Sequence, residues 1–308
     1  MVPFGVEIRH LRYFTAVAEE LHFGRAARRL YMSRPPLSKR IADLEDELGV
    51  QLFTRTSRSV HLTPHGQRLL PLARAAIRAF DAAVEAMALP AEVDRALRVA
   101  LVSTTSPDVV RTLKALFATW NIDLDWSEAS TAEQYKGLLD GLFDLGVMGL
   151  PVDAQGLWVS PPLRKILGVA VSPEHPLAGD EPIRLSDLQD QTILLPTRSS
   201  APAHYDRFLA TCRENGFQPR KIKHGDQRHQ ALMVESELSS DHAVTFIPRS
   251  DAGRLGHVSW RPIEGEPLAW QIAVCCRLGE ERDAVMQAAI HAVLGALQEH
   301  DNWCSTKD

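Results

Sequence analysis

Apolar residues recur at helical spacing in two adjoining segments near the amino terminus, within residues 22–48. In the second segment the steps are four, three and four, at Leu37, Ile41, Leu44 and Leu48. This spacing lines the four side chains along one face of a helix, and that face must be buried. The first segment contains Ala26 and Ala27, which are small enough for a close helix crossing. The pattern predicts two short helices joined by a tight turn.

The residues that flank the second helix predict where it begins and ends. Ser33 stands at the N-cap position, prolines 35 and 36 fit the first turn because they lack an N–H that needs a partner, and Gly49 suits a left-handed C-cap. A small polar set stays exposed near the helix start: Ser33, Arg34, Pro35, Ser38 and Lys39. Together with Arg25 of the preceding helix, these groups can reach base edges and phosphates in a major groove, which indicates a DNA-binding helix-turn-helix. The periodicity alone does not exclude an ordinary solvated helical hairpin.

Three further patterns surround this helix pair. Residues 8–21 carry apolar side chains at helical spacing and predict a helix that closes the core. The segment after Gly49 alternates apolar and polar residues around a polar tip, which predicts a β-hairpin, the wing of a winged helix-turn-helix, with Arg55 and Arg58 as its cations. From Thr63 to about residue 89 the apolar positions alternate steps of four and three, as in a coiled coil, so this long helix is predicted to pair with a second copy.

Beyond a short hinge at residues 91–96, apolar strands alternate with helices in the manner of α/β proteins. The chain is predicted to cross to a second lobe near Ile166 and to return near Pro262, an arrangement similar to the two Rossmann-like lobes of periplasmic binding proteins. The predicted fold class is therefore α/β with an all-α winged helix-turn-helix domain at the amino terminus. The expected domains are a DNA-binding domain at 1–62, a linker helix at 63–90 and a regulatory domain at 91–308. Within the last, lobe I covers about 91–165 and 266–300, and lobe II about 166–265.

Hydroxyl residues follow three of the predicted strands, where a ligand of such lobes is expected. A cleft at the carboxyl ends of parallel strands, near helix amino termini, attracts anions. The residues concerned are Ser103, Thr104 and Thr105, then Ser130 and Thr131, and in the opposite lobe Arg198 and Ser199. Each hydroxyl taken singly is more simply a helix cap, but three such turns at one cleft favour an anion site. We expect a small-molecule effector there, a carboxylate.

Charge divides the chain into two parts. The net charge is −5. Residues 1–90 contain 13 Lys and Arg and 9 Asp and Glu, a net charge of +4. Residues 91–308 contain 21 Lys and Arg and 30 Asp and Glu, a net charge of −9. A basic first part suits phosphate contact, although +4 over ninety residues is a weak signal by itself. No uninterrupted apolar run approaches the length of a membrane span, so we expect a cytoplasmic protein with no membrane partner.

No catalytic constellation can be read from the sequence. The twelve histidines are scattered, and the metal-protease, nucleophile-elbow and phosphate-loop patterns are absent. The four cysteines lack the paired spacing of a metal site or a disulfide framework. We therefore expect no enzyme activity, no metal and no cofactor.

A long, nearly uninterrupted resemblance to a known family covers residues 8–70. The stretch LHFGRAARRLYMSRPPLSKRIADLEDELGVQLFTRTSRSVHLT at its centre resembles the amino-terminal domain of LysR-type transcriptional regulators, and the later chain resembles their effector-binding domain more loosely. The resemblance implies double-stranded DNA with an imperfect palindrome as one partner. It also implies an antiparallel homodimer through the linker helix, and a homotetramer. The family commonly carries glutamine where this chain has Arg34, which predicts a preference for guanine over adenine.

The resemblance also bears on the effector site. Ser103, Thr104, Thr131, Arg198 and Ser199 match turns that hold effectors in regulators of aromatic-acid metabolism. The stretch ELSSDHAVTFIP lacks the glycine-rich pattern common in the family, so the pocket near Phe246 is expected to have a different shape.

Two alternatives remain open at this point. Residues 97–300 alone would suit a solute-binding or transport protein, but the first ninety residues and the absence of an export signal argue against it. A thiol-redox sensor, as in the peroxide-responsive branch of the family, would depend on Cys212, which has no evident partner cysteine nearby.

Overall fold

The protein is described from a computed structural model, and the structure describes residues 5–55, 59–88, 95–225, 236–238, 243–253, 255 and 258–305. The chain separates into two compact units, Met1–Pro90 and Ala91–Asp308. Each unit is considered by itself below.

The described residues of the first unit form four helices and a short hairpin. Its elements are α1 (Ile8–Glu20), α2 (Phe23–Arg29), α3 (Arg34–Leu48), β1 (Phe53–Arg55), β2 (Val60–Leu62) and α4 (Pro64–Ala88). The periodic residues of α3 are buried as their spacing predicts, with Leu37, Ile41 and Leu44 at most 1% exposed. They pack with Phe14 of α1 and Phe53 of β1, so helices and hairpin share one core.

Helix boundaries in this unit follow local chemistry. Gly49 ends α3 with φ of +67°, a left-handed conformation that glycine adopts at little cost. At the start of α2, the His22 ring accepts hydrogen bonds from the N–H groups of Gly24 and Arg25, so an imidazole serves as the N-cap. Thr63 caps α4 by accepting from the Gly66 N–H at 3.1 Å.

Helix α4 contacts α1 through residues that extend past the middle of α4. Ala73 of α4 is buried in the core, Arg74 donates to Glu19 at 2.9 Å, and Asp81 accepts from Arg12. Large apolar side chains on α4 stay exposed, namely Leu72, Phe80, Val84 and Met87. This helix therefore has an apolar surface that its own unit does not cover.

In its described residues the second unit is built on one curled sheet of eleven strands with helices on its faces. The strands are β3 (Arg95–Leu101), β4 (Ile122–Glu128), β5 (Leu145–Gly149), β6 (Leu157–Val159), β7 (Leu163–Val171), β8 (Thr192–Pro196), β9 (Lys221–Gly225), β10 (Ala243–Pro248), β11 (Ser259–Pro262), β12 (Ala269–Arg277) and β13 (Cys304–Ser305). The helices are α5 (Pro107–Thr119), α6 (Thr131–Leu139), α7 (Pro202–Glu214), α8 (Arg249–Ala252) and α9 (Ala284–His300). The main strand order is β4-β3-β5-β12-β7-β10-β8-β9.

Strand β7 joins two halves of this sheet. Its first residues pair antiparallel with β12, Ile166 lying opposite Ala269, and its last residues pair antiparallel with β10, Ala170 lying opposite Thr245. On one side, β3 is parallel to β4 and β5; on the other, β8 is parallel to β9 and β10. Each half is thus a small parallel α/β sheet, and the carboxyl ends of β3, β5 and β8 face the region between them.

Several elements differ from the sequence-based expectation. Strands β6, β9, β11 and β13 were not among the strands expected from the sequence. The last long helix begins at Ala284, because Asp283 accepts from the Met286 N–H at 3.0 Å and caps it there. Residues 95 and 96 of the expected hinge belong to β3, and residues 91–94 lie outside the described part of the chain.

Candidate functional site

The exposed start of α3 holds most of the residues predicted to contact DNA. Ser33, Arg34, Pro35 and Lys39 are exposed and Ser38 is half-buried. Neither cation of this group has a hydrogen bond or ion pair to another described residue, so both can bind an anion without first breaking an internal contact. The Ser33 hydroxyl makes no capping bond, which leaves it available as well.

Two other predicted DNA contacts are engaged in ion pairs. The Arg25 Nε donates to Glu20 at 3.2 Å, and Arg55 donates to the buried Glu45 at 2.6 Å while lying over the Phe23 ring. The sequence predicts Arg55 as a wing cation but gives no sign of this partner, which the hairpin reaches by folding the side chain back onto α3. Arg58, the other predicted wing cation, lies outside the described residues.

One exposed residue of this surface was not singled out from the sequence. Tyr31 lies in the turn between α2 and α3, with 98% of its surface exposed and φ of +54°. A phenol held on a turn beside Arg34 can donate a hydrogen bond to phosphate. The sequence signal for this residue is an aromatic side chain in the turn of a helix pair, a place where no side chain is expected to be buried.

In the second unit a cavity lies at the carboxyl ends of β3, β5 and β8. The space open to the centre of a water-sized sphere is about 110 Å³, whereas one water needs about 10–15 Å³ of such space. The cavity therefore has room for a small molecule. Its walls combine polar groups from the strand ends with a set of aromatic side chains, namely Tyr205, Phe208, Phe246, Trp270 and Trp303.

The turn after β3 presents unpaired polar groups to this cavity. The hydroxyls and backbone N–H groups of Ser103 and Thr104 have no hydrogen bond to any other described residue, and both residues are half-buried. In the neighbouring turn the Thr131 hydroxyl accepts from the Gly149 N–H at 2.9 Å, so its own proton is free for a ligand. Thr131 is the first residue of α6, and Ser103 and Thr104 lie shortly before α5; the amino termini of both helices favour negative charge.

Four predicted effector residues do not line the cavity. The Thr105 hydroxyl is buried beside it without a partner, and Ser130 caps α6 in a reciprocal bond with Glu133. Arg198 donates twice to Asp206, at 2.8 and 2.6 Å, and is 60% exposed. Ser199 is exposed and its hydroxyl lies 3.5 Å from Thr197. The turn after β8 does reach the cavity, but through Thr197.

The structure adds residues that sequence reasoning did not find. His204, in the first turn of α7 in the second lobe, lines the cavity, and its Nδ1 lies 2.8 Å from the carbonyl oxygen of Leu150 in the first lobe. Burial lowers the pKa of His204, against a smaller opposing effect of this hydrogen bond. Gln271 and Trp303 come from β12 and the segment before β13, more than 60 residues away in sequence. Local patterns carry no signal for such distant neighbours.

The described cysteines lie outside this cavity. Cys212 is fully buried in the second-lobe core, and burial raises its pKa to about 12. Burial also raises the pKa values of Cys275 and Cys276 to about 12, whereas Cys304 is exposed. Within the described residues there is no group of metal-ligating side chains that could hold an ion, and no helix has the length and apolarity to cross a membrane.

Comparison with known families assigns both units. The profile described as the LysR substrate binding domain matches residues 90–298, and that of the bacterial regulatory helix-turn-helix protein, LysR family, matches residues 8–67. The chain belongs to the LysR family of transcriptional regulators. It is thus a DNA-binding regulator with an effector-binding domain, in a family of non-enzymes whose members form oligomers.

Individual relatives agree with this assignment. The transcriptional regulator AlsR of Bacillus subtilis is 35% identical over 250 residues, which cover 80% of this chain and 81% of AlsR. A probable hydrogen peroxide-inducible genes activator of Mycobacterium avium is 37% identical, over 79% of this chain and 78% of the relative.

BenM of Acinetobacter baylyi is similar in both sequence and structure. It is 30% identical over 281 residues, which cover 90% of this chain and 91% of BenM. Its full-length crystal structure covers 98% of this chain and 100% of the BenM chain, with a TM-score of 0.54 and 26% identity. The two-lobed architecture is therefore that of a known LysR-type regulator.

Proposed function

We propose that this LysR-type regulator responds to a small carboxylate held in the cavity between its lobes. The observation that carries the proposal is the turn of Ser103 and Thr104, two residues that line the cavity and whose hydroxyls and backbone N–H groups have no partners among the described residues. A carboxylate oxygen accepts several hydrogen bonds at once, and charged acceptors form the stronger ones.

The electrostatics of the cavity also support an anion. The described residues of its lining include no carboxylate, lysine or arginine, and the amino termini of α5 and α6 provide positive potential. The sequence-based expectation gave this role in part to Arg198, but its bidentate pair with Asp206 occupies that guanidinium. The proposed anion site therefore consists of Ser103, Thr104 and Thr131.

The cavity is lined from both lobes, which suggests how binding is transmitted. Thr104 and Thr131 belong to the first lobe, and Thr197 and Phe246 to the second. A ligand that contacts both favours whichever arrangement of the lobes gives it more contacts. We assign the regulatory response to this shift, with residues 91–308 as the regulatory domain.

The DNA-binding half of the proposal uses the exposed start of α3 and the uncovered face of α4. The apolar side chains of Phe80, Val84 and Met87 suit the pairing of two linker helices, residues 63–90, into a homodimer and then a homotetramer. Two copies of the 1–62 domain would read an imperfect palindrome through Arg34 and its neighbours. A protein that acts on chromosomal DNA in this way works in the cytoplasm.

The carboxylate proposal is tested with Thr104→Val in the full-length protein. The change keeps the volume of the side chain and removes one donor to a charged group, an interaction worth about 1.5–3 kcal/mol. We first identify a binding acid by thermal shift in a panel of aliphatic and aromatic carboxylates, since a ligand of the native state raises the melting temperature. Calorimetry with that acid should then show about a tenfold to hundredfold weaker Kd in the variant.

The matched control is Thr119→Val, because Thr119 is exposed at the end of α5, away from the cavity. It should bind the acid as the parent protein does. If Thr104→Val also binds with unchanged affinity, the acid is held elsewhere. If no carboxylate in the panel shifts the melting temperature, the proposed effector class is refuted.

The peroxide-related relatives raise the question of a thiol sensor. A peroxide-reactive cysteine must be accessible and must ionise, and Cys212 satisfies neither condition. We therefore propose metabolite binding and not thiol oxidation as the signal.

A further inference from the structure

The imidazole of His204 connects the two lobes at the wall of the cavity. It stands in the first turn of α7, and its Nδ1 lies 2.8 Å from the carbonyl oxygen of Leu150, just beyond the end of β5. Its ring forms part of the cavity lining. The cavity wall therefore includes a side chain whose orientation is set by a bond to the opposite lobe.

The bond to Leu150 determines which nitrogen of the ring carries the proton. A carbonyl oxygen only accepts hydrogen bonds, so Nδ1 must be the donor. In a neutral imidazole Nε2 is then a bare acceptor, and it has no hydrogen bond to any other described residue. Burial lowers the pKa of His204, which keeps the ring neutral near pH 7.

We propose that the effector carries, in addition to its carboxylate, a hydroxyl group that donates to Nε2 of His204, so that it is a hydroxycarboxylic acid. This inference rests on the proposed function. A carboxylate oxygen facing Nε2 would bring two acceptors together, whereas a hydroxyl satisfies the nitrogen. An ammonium donor is disfavoured because no Asp or Glu is among the described residues that line the cavity and could balance its charge.

The other polar side chains of the cavity do not make the same selection. Tyr205 is occupied by a bond of 2.8 Å to His224, and a threonine hydroxyl such as that of Thr197 can donate or accept. The Gln271 amide also offers both a donor and an acceptor. The neutral His204 ring differs from these groups because it offers the cavity an acceptor alone, which makes it the residue that determines specificity for a hydroxyl.

The test compares matched acids that differ in one hydroxyl, with full-length protein and calorimetry at pH 7.5. Suitable pairs are propionate with lactate, butyrate with 3-hydroxybutyrate, and benzoate with its 3-hydroxy derivative. One neutral hydrogen bond corresponds to about a twofold to tenfold difference in Kd. We expect this preference for the hydroxylated member in at least one pair.

Two variants separate the roles of the ring nitrogens. In His204→Asn the amide can replace Nδ1 as donor to Leu150 but leaves no acceptor at the position of Nε2, so the preference should vanish while the hydroxyl-free acid still binds. In His204→Gln the amide reaches the position of Nε2 and should retain the preference. His291→Asn, an exposed change on α9, is the control and should behave as the parent.

Each outcome decides the matter. Equal affinity within every pair, or a preference that survives in His204→Asn, overturns the inference and leaves the carboxylate proposal standing. A preference lost in His204→Gln as well assigns the effect to ring packing and also overturns it. If no acid of either kind binds, the carboxylate proposal fails and this inference fails with it.

Discussion

The ion pair between Arg55 and Glu45 allows a sharp test of how the wing is held on the helix-turn-helix. The Glu45 carboxylate is 3% exposed, and its Oε1 accepts from the N–H groups of Leu52 at 2.8 Å and Phe53 at 3.0 Å. Its Oε2 accepts from Arg55 at 2.6 Å, with the guanidinium 4.9 Å from the Phe23 ring centre. Arg55 thus balances a buried charge that anchors the hairpin to α3.

Arg55→Ala removes the positive charge beside buried Glu45 and should therefore destabilise the hairpin locally. Breaking a fully buried pair costs about 3–5 kcal/mol, whereas exposed pairs contribute about 0–1 kcal/mol. Because the Arg55 side chain is 35% exposed, solvent screens part of the effect, and we expect about 1–3 kcal/mol. If the hairpin opens locally, the amides of Leu52 and Phe53 should exchange hydrogen about 5- to 150-fold faster.

Hydrogen exchange of the full-length protein, followed by mass spectrometry over residues 50–55, measures this directly. Arg40→Ala is the control, since Arg40 is exposed on α3 and has no ion pair to a described residue. The double variant Glu45→Gln with Arg55→Ala should recover much of the protection, because the uncompensated charge is gone. Unchanged exchange in Arg55→Ala, together with weaker DNA binding and a flatter salt dependence, would refute this reasoning and identify Arg55 as a phosphate contact.

Three further predictions concern DNA and the thiols. In a binding-site selection, Arg34→Gln should shift the preferred base in each half-site from guanine towards adenine. In a salt titration, Lys39→Ala should weaken binding to all sequences and reduce the slope of log affinity against log salt by about one unit. A palindrome should bind far more tightly than one half-site in a mobility-shift assay, and equal affinities would argue against a dimer joined through α4. Under native conditions iodoacetamide should label exposed Cys304 but not Cys212. The pKa of Cys212, about 12, leaves about one thiolate in ten thousand at pH 8. Comparable labelling of both cysteines would support the redox interpretation.

The sequence by itself determined the features that depend on neighbouring residues. The steps between Leu37 and Leu48 determine one buried face of α3, and Gly49 ends that helix because its left-handed backbone suits glycine. The alternation of strands and helices beyond residue 95 determined the α/β class in the same way. The hydroxyl turns at Ser103 and Thr131 could also be located, since each lies between a strand and the helix that it starts.

Only the tertiary structure decided which charges are free and which residues share the cavity. The sequence predicts Arg55 as a wing cation and Arg198 as an effector contact, but it does not show their ion-pair partners. In the fold they lie beside Glu45 and Asp206, ten and eight residues away, because the hairpin and the turn before α7 bend back. His204 reaches the cavity from the second lobe and bonds to Leu150 across it, 54 residues away in sequence. Periodicity reports which face of an element is buried, but not which distant element covers it, and that depends on how the whole chain packs.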